Sequence, residues 1–362
     1  MSSFSDIYGY DTIKEHLQAS IAMDKVSHAY IINGGLGAGK KLIAKIFAKT
    51  LQCENVNSEN INSENVNSEN INSENVNSGK AGNDLNAADI NPCNKCHSCI
   101  QADSDNQPDI IWIRHEKPAS IGVDDIREQL INDMQIKPYS SRYKIYIVDE
   151  AEKLTVQAQN ALLKTIEEPP AYGIVILLTT NADIFLQTIL SRCVVLDLKP
   201  LSDELVDKYL KNNYDTTDYE RKFAVSFSQG KIGRAVTIIE SKEFAQLREE
   251  VMHVVKYAKE MSTAEIMSAV KNIANYKLTI DDYLDLMAMW YRDVLLFKST
   301  NDTNFIIFKD QMSLIKSQSV TMSYEGIEDI LNSIDKVKIR LKANVNFDLV
   351  IELLIMALKE NS

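Results

Sequence analysis

A glycine-rich run near the amino terminus could form a phosphate-binding loop. Residues 34–39 (Gly-Gly-Leu-Gly-Ala-Gly) and Lys40 nearly fit the pattern Gly-x4-Gly-Lys-(Ser/Thr). In that pattern, backbone N–H groups at a helix start cradle phosphates, and the lysine reaches the terminal ones. Lys41 stands where a hydroxyl would ligate Mg²⁺, and its ammonium group would repel the cation. Gly34, Gly39 and Lys40 therefore predict a degenerate nucleotide site, and we do not expect hydrolysis by this chain. The sequence leaves open whether the loop binds nucleotide without hydrolysing it.

An acidic pair follows a buried apolar run and could complete such a site. Asp149 and Glu150 come directly after the predicted strand Lys144–Val148. An Asp there can hold Mg²⁺, and the adjacent Glu can orient an attacking water. The alternative is a helix cap, because both residue types suit a helix amino terminus. Together with the loop, the pair predicts the second half of the site, to which we also assign Thr180 after the apolar strand at 174–179.

Four of the five cysteines have the spacing of a metal site. Cys93, Cys96 and Cys99 form a Cys-x2-Cys-x2-Cys run, and Cys53 lies upstream. Zn²⁺ prefers tetrahedral sulfur, and a site closed by four thiolates is structural rather than catalytic. We therefore predict a structural zinc ion; an iron–sulfur cluster is the chemical alternative. His97 could replace one ligand, although we expect it to be exposed.

The amino-acid composition limits the classes of protein to which this chain can belong. The chain has 362 residues, 45% of them hydrophobic, with 12 Gly and 7 Pro. So few turn-forming residues argue against a loop-rich all-β protein and favour long helices. With 39 Lys and Arg against 51 Asp and Glu, the net charge is -12, which excludes binding to nucleic acid by bulk charge. There is no run of eighteen apolar residues and no signal peptide, so we expect a cytoplasmic protein.

Apolar periodicity predicts an α/β region followed by helices. Strands and helices alternate up to about residue 200, which is typical of a parallel sheet. We assign residues 1–200 to an α/β domain, 201–242 to a small helical lid and 243–362 to an all-α domain. The zinc module spans 53–99 and contains five copies of Glu-Asn-(Val/Ile)-Asn-Ser at 54–78. Each copy offers one β-branched residue, too little to offset the entropy of ordering, so we predict a disordered insertion.

Ser191-Arg192-Cys193 carries one further candidate for chemistry. An Arg at the edge of a nucleotide-binding domain can stabilise phosphoryl charge in a neighbouring subunit, as an arginine finger acting in trans. The alternative, a surface Arg in a local ion pair, is the one that the residues alone favour.

These motifs together resemble the delta-prime family of bacterial sliding-clamp loader subunits, which belong to the DNA polymerase III holoenzyme. The resemblance covers nearly the whole chain except the repeat, and the stretch from Asp149 to Cys193 is its most specific part. It rests on residues 28–30, the glycine loop, the four cysteines, and residues 121–127, 148–153, 158–170, 191–193, 290–293 and 344–358.

The resemblance implies a fold and a function. The fold is an α/β P-loop domain of the AAA+ type with a parallel sheet, a helical lid and an all-α collar in a five-subunit ring. The function is to help load the clamp onto primed DNA, with gamma/tau motor and delta subunits as partners and no membrane. Arg192 would be the catalytic finger serving ATP and Mg²⁺ bound by the adjacent motor subunit. Gly233 stands where motor subunits have a nucleotide-reading Arg, with Arg234 one residue on.

Two other functions remain open at this stage. The chain could itself be an ATP-hydrolysing motor subunit of the gamma/tau kind, which robust turnover abolished by Lys40→Ala would indicate. It could also be a zinc-dependent nucleic-acid binder, which would bind DNA tightly and in a salt-sensitive way as a monomer. The net charge of -12 disfavours the second.

Overall fold

In the computed structural model, the described part of the chain comprises residues 2–56, 90–115, 117 and 119–361. The chain divides into two compact units. The first consists of residues up to Tyr209 together with Gly230–Arg234, and the second of Leu210–Gln229 together with the residues from Ala235 onward. The domain boundaries at residues 200 and 242 stay predictions. Most of the 54–78 repeat lies outside the described residues, so its predicted disorder also stays a prediction.

A five-stranded parallel sheet forms the centre of the first unit and confirms the predicted α/β class. Its strands are β1 (Ala29–Asn33), β2 (Ile110–Ile113), β3 (Lys144–Val148), β4 (Gly173–Thr179) and β5 (Val194–Asp197). In space they follow the order β2-β3-β4-β1-β5, and every neighbouring pair is parallel. Every residue of β3 and β4 is buried, as expected for inner strands covered on both faces.

Six helices of the described ranges accompany this sheet. They are α1 (Asp11–Ala22), α2 (Lys40–Gln52), α3 (His97–Asp103), α4 (Val123–Ile126), α5 (Val156–Glu167) and α6 (Gln187–Leu190). One face of the sheet packs against α1 and α2 through residues such as Ile43 and Phe47. The other face packs against α4 and α5 through residues such as Ile126 and Leu162. The sheet is therefore the middle of three layers.

Residues 123–134 have the apolar spacing of one continuous helix, but the helix is interrupted in the structure. The α-helix ends at Ile126, a π-helical stretch spans Arg127–Asn132, and a 3-10 turn spans Asp133–Gln135. The apolar spacing still buries Ile126, Leu130 and Met134 on one side. A widened turn can keep those residues facing the core, which is why periodicity alone does not reveal it.

Helices make up the rest of the chain. They are α7 (Asp203–Asn213), α8 (Asp218–Ser228), α9 (Ile232–Glu240), α10 (Lys242–Tyr257), α11 (Thr263–Ile273), α12 (Ile280–Thr300), α13 (Met312–Thr321), α14 (Tyr324–Lys342) and α15 (Phe347–Asn361). In the second unit, α12 has an apolar stripe at helical spacing: Leu284, Met287, Tyr291 and Val294 are fully buried, and Leu295 is half-buried. Among the described helices, none is both long and apolar enough to cross a membrane.

Candidate nucleotide and metal sites

The glycine loop lies at the carboxyl edge of the sheet, between β1 and α2. Asp149 follows β3 and Thr180 follows β4, and β3, β4 and β1 are neighbours in the sheet. The carboxyl ends of parallel strands share one edge, which is where such sheets bind ligands. Gly37 and Gly39 have φ angles of 78° and 95°, so the loop uses backbone conformations that favour glycine. The fold therefore brings the predicted nucleotide-site residues to one edge.

Lys40 turns back onto the loop that precedes it. Its Nζ donates hydrogen bonds to the carbonyl oxygens of Gly34 and Gly35, the second over 3.1 Å. Burial lowers the pKa of Lys40, while the nearby carboxylates of Glu152 and Asp149 act in the opposite direction. The ammonium group that could meet a terminal phosphate is thus satisfied by the chain's own backbone and acids.

Lys41 forms an ion pair with Asp149. The two side chains approach to 2.6 Å between Nζ and Oδ2, and Asp149 is three-quarters buried. In a working site of this pattern, the hydroxyl at position 41 and the carboxylate at 149 would share a Mg²⁺ ion. Here an ammonium group holds that carboxylate, so neither position offers the metal a free ligand.

Glu150 is directed toward other partners. Its backbone is left-handed, with a φ angle of 49°. Its carboxylate lies 2.7 Å from Lys153 Nζ and 3.7 Å from His115 Nε2. The carboxylate of Glu150 therefore lies between basic side chains. The role of Glu150 in orienting an attacking water stays a prediction.

Glu152 is the site residue that sequence reasoning missed. The Thr180 hydroxyl donates to Glu152 Oε1 over 2.8 Å, and the Thr180 N–H donates to Oε2 over 3.3 Å. Glu152 is also the acid that most strongly favours the charged form of Lys40. The signal was the second acid in the run Asp-Glu-Ala-Glu after β3, two residues beyond the strained Glu150.

The amino end of α9 packs against the loop within the first unit. The Gly233 N–H donates to the Gly37 carbonyl over 2.8 Å. A Cβ on Gly233 would lie 2.8 Å from that carbonyl oxygen, and one on Gly37 would lie 2.5 Å from Arg234 N. No side chain fits at position 233 as the backbone stands, so an Arg could not read a nucleotide from there.

Arg192 follows α6 and is about 41% exposed. Its Nη2 lies 3.1 Å from Glu167 Oε1, and its Nη1 donates to the Thr188 carbonyl over 3.0 Å. Glu167 ends α5, so the guanidinium bridges the ends of two short helices. A surface ion pair of this kind contributes about 0–1 kcal/mol, and Arg192 can leave it at little cost.

The four predicted cysteines converge into a cluster. Their Sγ atoms all lie within 4.8 Å of one another, and those of Cys93 and Cys99 are 4.0 Å apart. Tetrahedral Zn–S bonds would place sulfurs about 3.8 Å apart. Backbone N–H groups of Cys93, Cys96 and Cys99 donate to cluster sulfurs over 3.3–3.4 Å. The cluster could therefore hold a metal ion of the tetrahedral, sulfur-bound kind.

The pKa values of the clustered cysteines also favour the binding of a metal ion. A hydrogen bond from the Cys99 thiol lowers the pKa of Cys53 to about 4, and the same interaction raises the pKa of Cys99. One sulfur is thus already a thiolate, which is the ligand form. The fifth cysteine, Cys193, stands apart from the cluster, and burial raises its pKa to about 12.

Comparison with known proteins gives two matching family models. The model described as "DNA polymerase III, delta subunit" matches residues 9–81 and 79–202. The model described as "DNA polymerase III, delta subunit, C terminal" matches residues 242–360. The two models together cover most of the chain.

Similar proteins carry related names. The delta' subunit of DNA polymerase III from Bacillus subtilis is 25% identical over 95% of this chain and 94% of its own length. The tau subunit from the same organism is 26% identical over 91% of this chain, and a gamma subunit from Buchnera aphidicola is 29% identical over 66%. The chain spans only 57% of that tau subunit and 58% of that gamma subunit.

A solved structure has a related description. A gamma subunit-related protein of DNA polymerase III from Thermotoga maritima aligns over 96% of this chain and 99% of its own, with 18% identity and a TM-score of 0.44. The matches of the family models are what decide the relationship. The chain belongs to the DNA polymerase III delta-subunit family.

Proposed function

We propose that this chain is a non-motor, delta-prime-type subunit of the DNA polymerase III clamp loader. It completes the ATP site of a neighbouring gamma/tau motor subunit through Arg192. Together with motor and delta subunits, it helps place the sliding clamp on primed DNA in the cytoplasm. It does not turn over ATP itself.

The observation that carries this proposal is the ion pair between Lys41 and Asp149. At 2.6 Å, it neutralises the carboxylate that would otherwise bind Mg²⁺. Phosphoryl transfer in P-loop proteins depends on that metal to balance charge on the phosphates. The contact of Gly233 with Gly37 supports the same conclusion, because it leaves no room for a nucleotide-reading side chain.

The extent of the similarities also favours the delta-prime type. The chain covers nearly all of the Bacillus subtilis delta' subunit but just over half of the tau and gamma subunits that it matches. The percentage identities are too close to distinguish these subunits by themselves. The loop chemistry at Lys41 supports the delta-prime type.

The exposure of Arg192 supports the role of a finger acting in trans. It lies at the surface, it is about 41% exposed, and its ion-pair partner Glu167 is about 42% exposed. Arg contributes to phosphoryl transfer by stabilising the charge of the transition state, often from another subunit. In the assembled ring, the guanidinium would exchange Glu167 for the phosphates of the neighbour.

The cysteine cluster would hold a structural Zn²⁺ ion. Four sulfur ligands leave no open position for a substrate, so the metal would serve folding rather than catalysis. Cys53 caps the carboxyl end of α2 and Cys96 caps the amino end of α3, and the ion would therefore fix these two helices to each other.

The test is DNA- and clamp-stimulated ATP turnover of the reconstituted loader. We expect Arg192→Ala to lower turnover at least about tenfold, the lower end of the scale for an arginine finger. Arg142→Ala is the matched control, because Arg142 is also about 42% exposed and ion-paired, to Asp24 at 2.6 Å. Equal turnover of both variants and the wild type would contradict the role of Arg192.

The second candidate is a motor subunit of the gamma/tau kind. It is favoured by the similarity to tau and gamma subunits and by the presence of Lys40 in the loop. Steady-state turnover by the isolated chain, abolished by Lys40→Ala, would establish it and refute the non-motor assignment.

A further inference from the structure

The sheet of the first unit ends at β2, and no described strand pairs with the outer side of β2. We propose that this edge is a docking site for an extended segment of a partner protein. The segment adds as an antiparallel strand, with one acidic residue at its centre and apolar residues on either side. This surface is separate from Arg192 and does not depend on the function proposed above.

The backbone of β2 leaves hydrogen-bonding groups facing outward. The Ile145 N–H donates to the Asp109 carbonyl over 2.8 Å, so Asp109 turns its carbonyl toward β3. Backbone groups of successive strand residues point in alternate directions. Those of Ile111 therefore also face β3, and those of Trp112 face away from the sheet. This is the arrangement to which a further strand can bond.

At one end of this edge, a side chain already makes the backbone hydrogen bonds that an added strand would make. The Arg114 N–H donates to Gln129 Oε1 over 2.9 Å, and Gln129 Nε2 donates to the Arg114 carbonyl over 2.6 Å. Two residues that exchange both bonds in this way form the hydrogen-bonded pair of an antiparallel ladder. The next such pair along β2 falls at Trp112. Because the contact at Gln129 has the bonding pattern of an antiparallel pair, we assign the antiparallel direction to the proposed strand.

A cavity lies beside the edge on each face of the sheet. On the α2 face, a cavity of about 750 Å³ is lined by Leu42, Lys45, Trp112 and other residues. On the opposite face, one of about 590 Å³ is lined by residues that include Ile136 and Tyr139. Ile136 is 62% exposed and Tyr139 is 87% exposed, which is unusual for such large side chains. Both faces thus have space for side chains of an added strand.

The charges that line the α2-side cavity indicate the residue type at the centre of the proposed strand. Its lining has three basic side chains and one acidic one: Lys41, Lys45, Arg114 and Asp105. Lys41 is paired with Asp149 and Lys45 with Asp105, so among the described residues Arg114 is the basic side chain of this lining without an acidic partner. A residue paired with Trp112 projects to the same face as Trp112, which packs toward the α2 side of the core. An acidic residue there can pair with the guanidinium of Arg114. Its two neighbours project to the other face, where Ile111 and Tyr139 offer apolar contact.

The experiment uses the full-length protein and a fluorescent, end-capped peptide of sequence Thr-Val-Glu-Val-Thr. We expect saturable binding with a dissociation constant of about 1 mM or tighter. A peptide with Lys in place of Glu should bind at least about tenfold more weakly. The Glu peptide methylated on the backbone nitrogen of Glu should bind about fivefold more weakly, because it loses a ladder hydrogen bond.

Hydrogen exchange at the edge gives a second readout. Without peptide, the Trp112 amide should exchange faster than that of Ile111, which faces β3. Saturating Glu peptide should slow the Trp112 amide and leave Ile111 unchanged. Trp112→Pro should abolish binding, whereas Trp112→Ala, which keeps the outward N–H, should retain part of it. Proline is tolerated at an edge strand when its nitrogen faces solvent, so both variants should fold.

Three outcomes would overturn the proposal. The first is no binding of the Glu peptide, and the second is equal binding of the methylated peptide, which does not depend on any protein variant. The third is slow, concentration-dependent exchange at Trp112 without peptide, which would make a second copy of this chain the occupant.

Discussion

The backbone N–H of Gly233 donates to the carbonyl oxygen of Gly37 over 2.8 Å, and neither residue has space for a side chain at that contact. The amino end of α9 thus lies against the loop that would otherwise surround phosphates. Gly35 differs, because a Cβ there would lie 2.8 Å from Lys231 Cε, the far end of a flexible side chain that can move aside. The close backbone approach therefore excludes side chains at Gly37 and Gly233.

The first prediction concerns this contact. Gly233→Ala should lower the free energy of unfolding by about 1–3 kcal/mol, because the added methyl group forces the backbone apart. Alanine is otherwise the better helix former by about 1 kcal/mol, so the sign of the change tests the contact. Gly122→Ala is the control, since its Cβ would meet only Asp125 Oδ2 at 3.4 Å. Urea unfolding measures both, and a stabilised Gly233→Ala variant would contradict the contact.

The second prediction concerns Lys41. Lys41→Ser supplies a hydroxyl and frees Asp149, yet we expect no ATP turnover by the isolated variant, because the turn at Gly233 still covers the loop. Stability should change by less than about 1 kcal/mol, since Lys41 is 68% exposed. A colorimetric phosphate assay and urea unfolding check the two parts. Magnesium-dependent turnover in Lys41→Ser would show that the ion pair alone prevents hydrolysis.

The third prediction concerns the cysteine cluster. Metal analysis should find about one Zn²⁺ per chain, and Cys96→Ser should lose it, because three sulfurs bind Zn²⁺ more weakly than four. Cys193→Ser should keep the metal, since Cys193 lies outside the cluster. Iron in the wild-type protein would support the iron–sulfur alternative, and the absence of any metal would refute the site.

The fourth prediction concerns Asp293, which is fully buried in the second unit. Its Oδ2 accepts hydrogen bonds from the N–H groups of Ile307 and Phe308 over 2.7 and 3.0 Å. Burial raises the pKa of Asp293 above its unfolded value despite these bonds. The folded state therefore binds the proton more tightly, and this residue's contribution to stability falls as pH rises from the unfolded pKa through the folded one.

Asp293→Asn should remove that pH dependence and keep one acceptor for the two N–H groups. Asp293→Ala should cost about 2–4 kcal/mol, because it leaves both N–H groups buried without a partner. Unfolding measured from pH 4 to 8 separates the two variants. An unchanged pH profile in Asp293→Asn would show that another group carries the dependence.

Much of the fold follows from the sequence because its patterns are strong. Lys144–Val148 is a continuous apolar strand next to Asp149, and the structure has the same bounds. The short edge strand β5 was missed because only Leu196 of its four residues is buried. The widened turn after Ile126 was missed because it preserves the apolar spacing that the prediction relies on.

The residues of the site could be predicted from the sequence, but the contacts between their side chains could not. The sequence shows that Lys41 cannot ligate a metal, but only the three-dimensional arrangement shows that its ammonium reaches Asp149. Glu152 was not predicted as a site residue. Glu150 adopts a left-handed backbone, and this conformation changes which acid of the run points toward Lys40. Contacts between side chains that follow neighbouring strands depend on the local backbone conformation. The residue types alone do not determine that conformation.

The ion pair between Lys41 and Asp149 also makes this edge of the sheet independent of dissolved magnesium. A ligand stabilises a folded protein in proportion to the logarithm of its concentration over its dissociation constant. A counter-ion that is part of the chain has no concentration to vary. We therefore expect the melting temperature of the protein to be the same whether magnesium is abundant or absent.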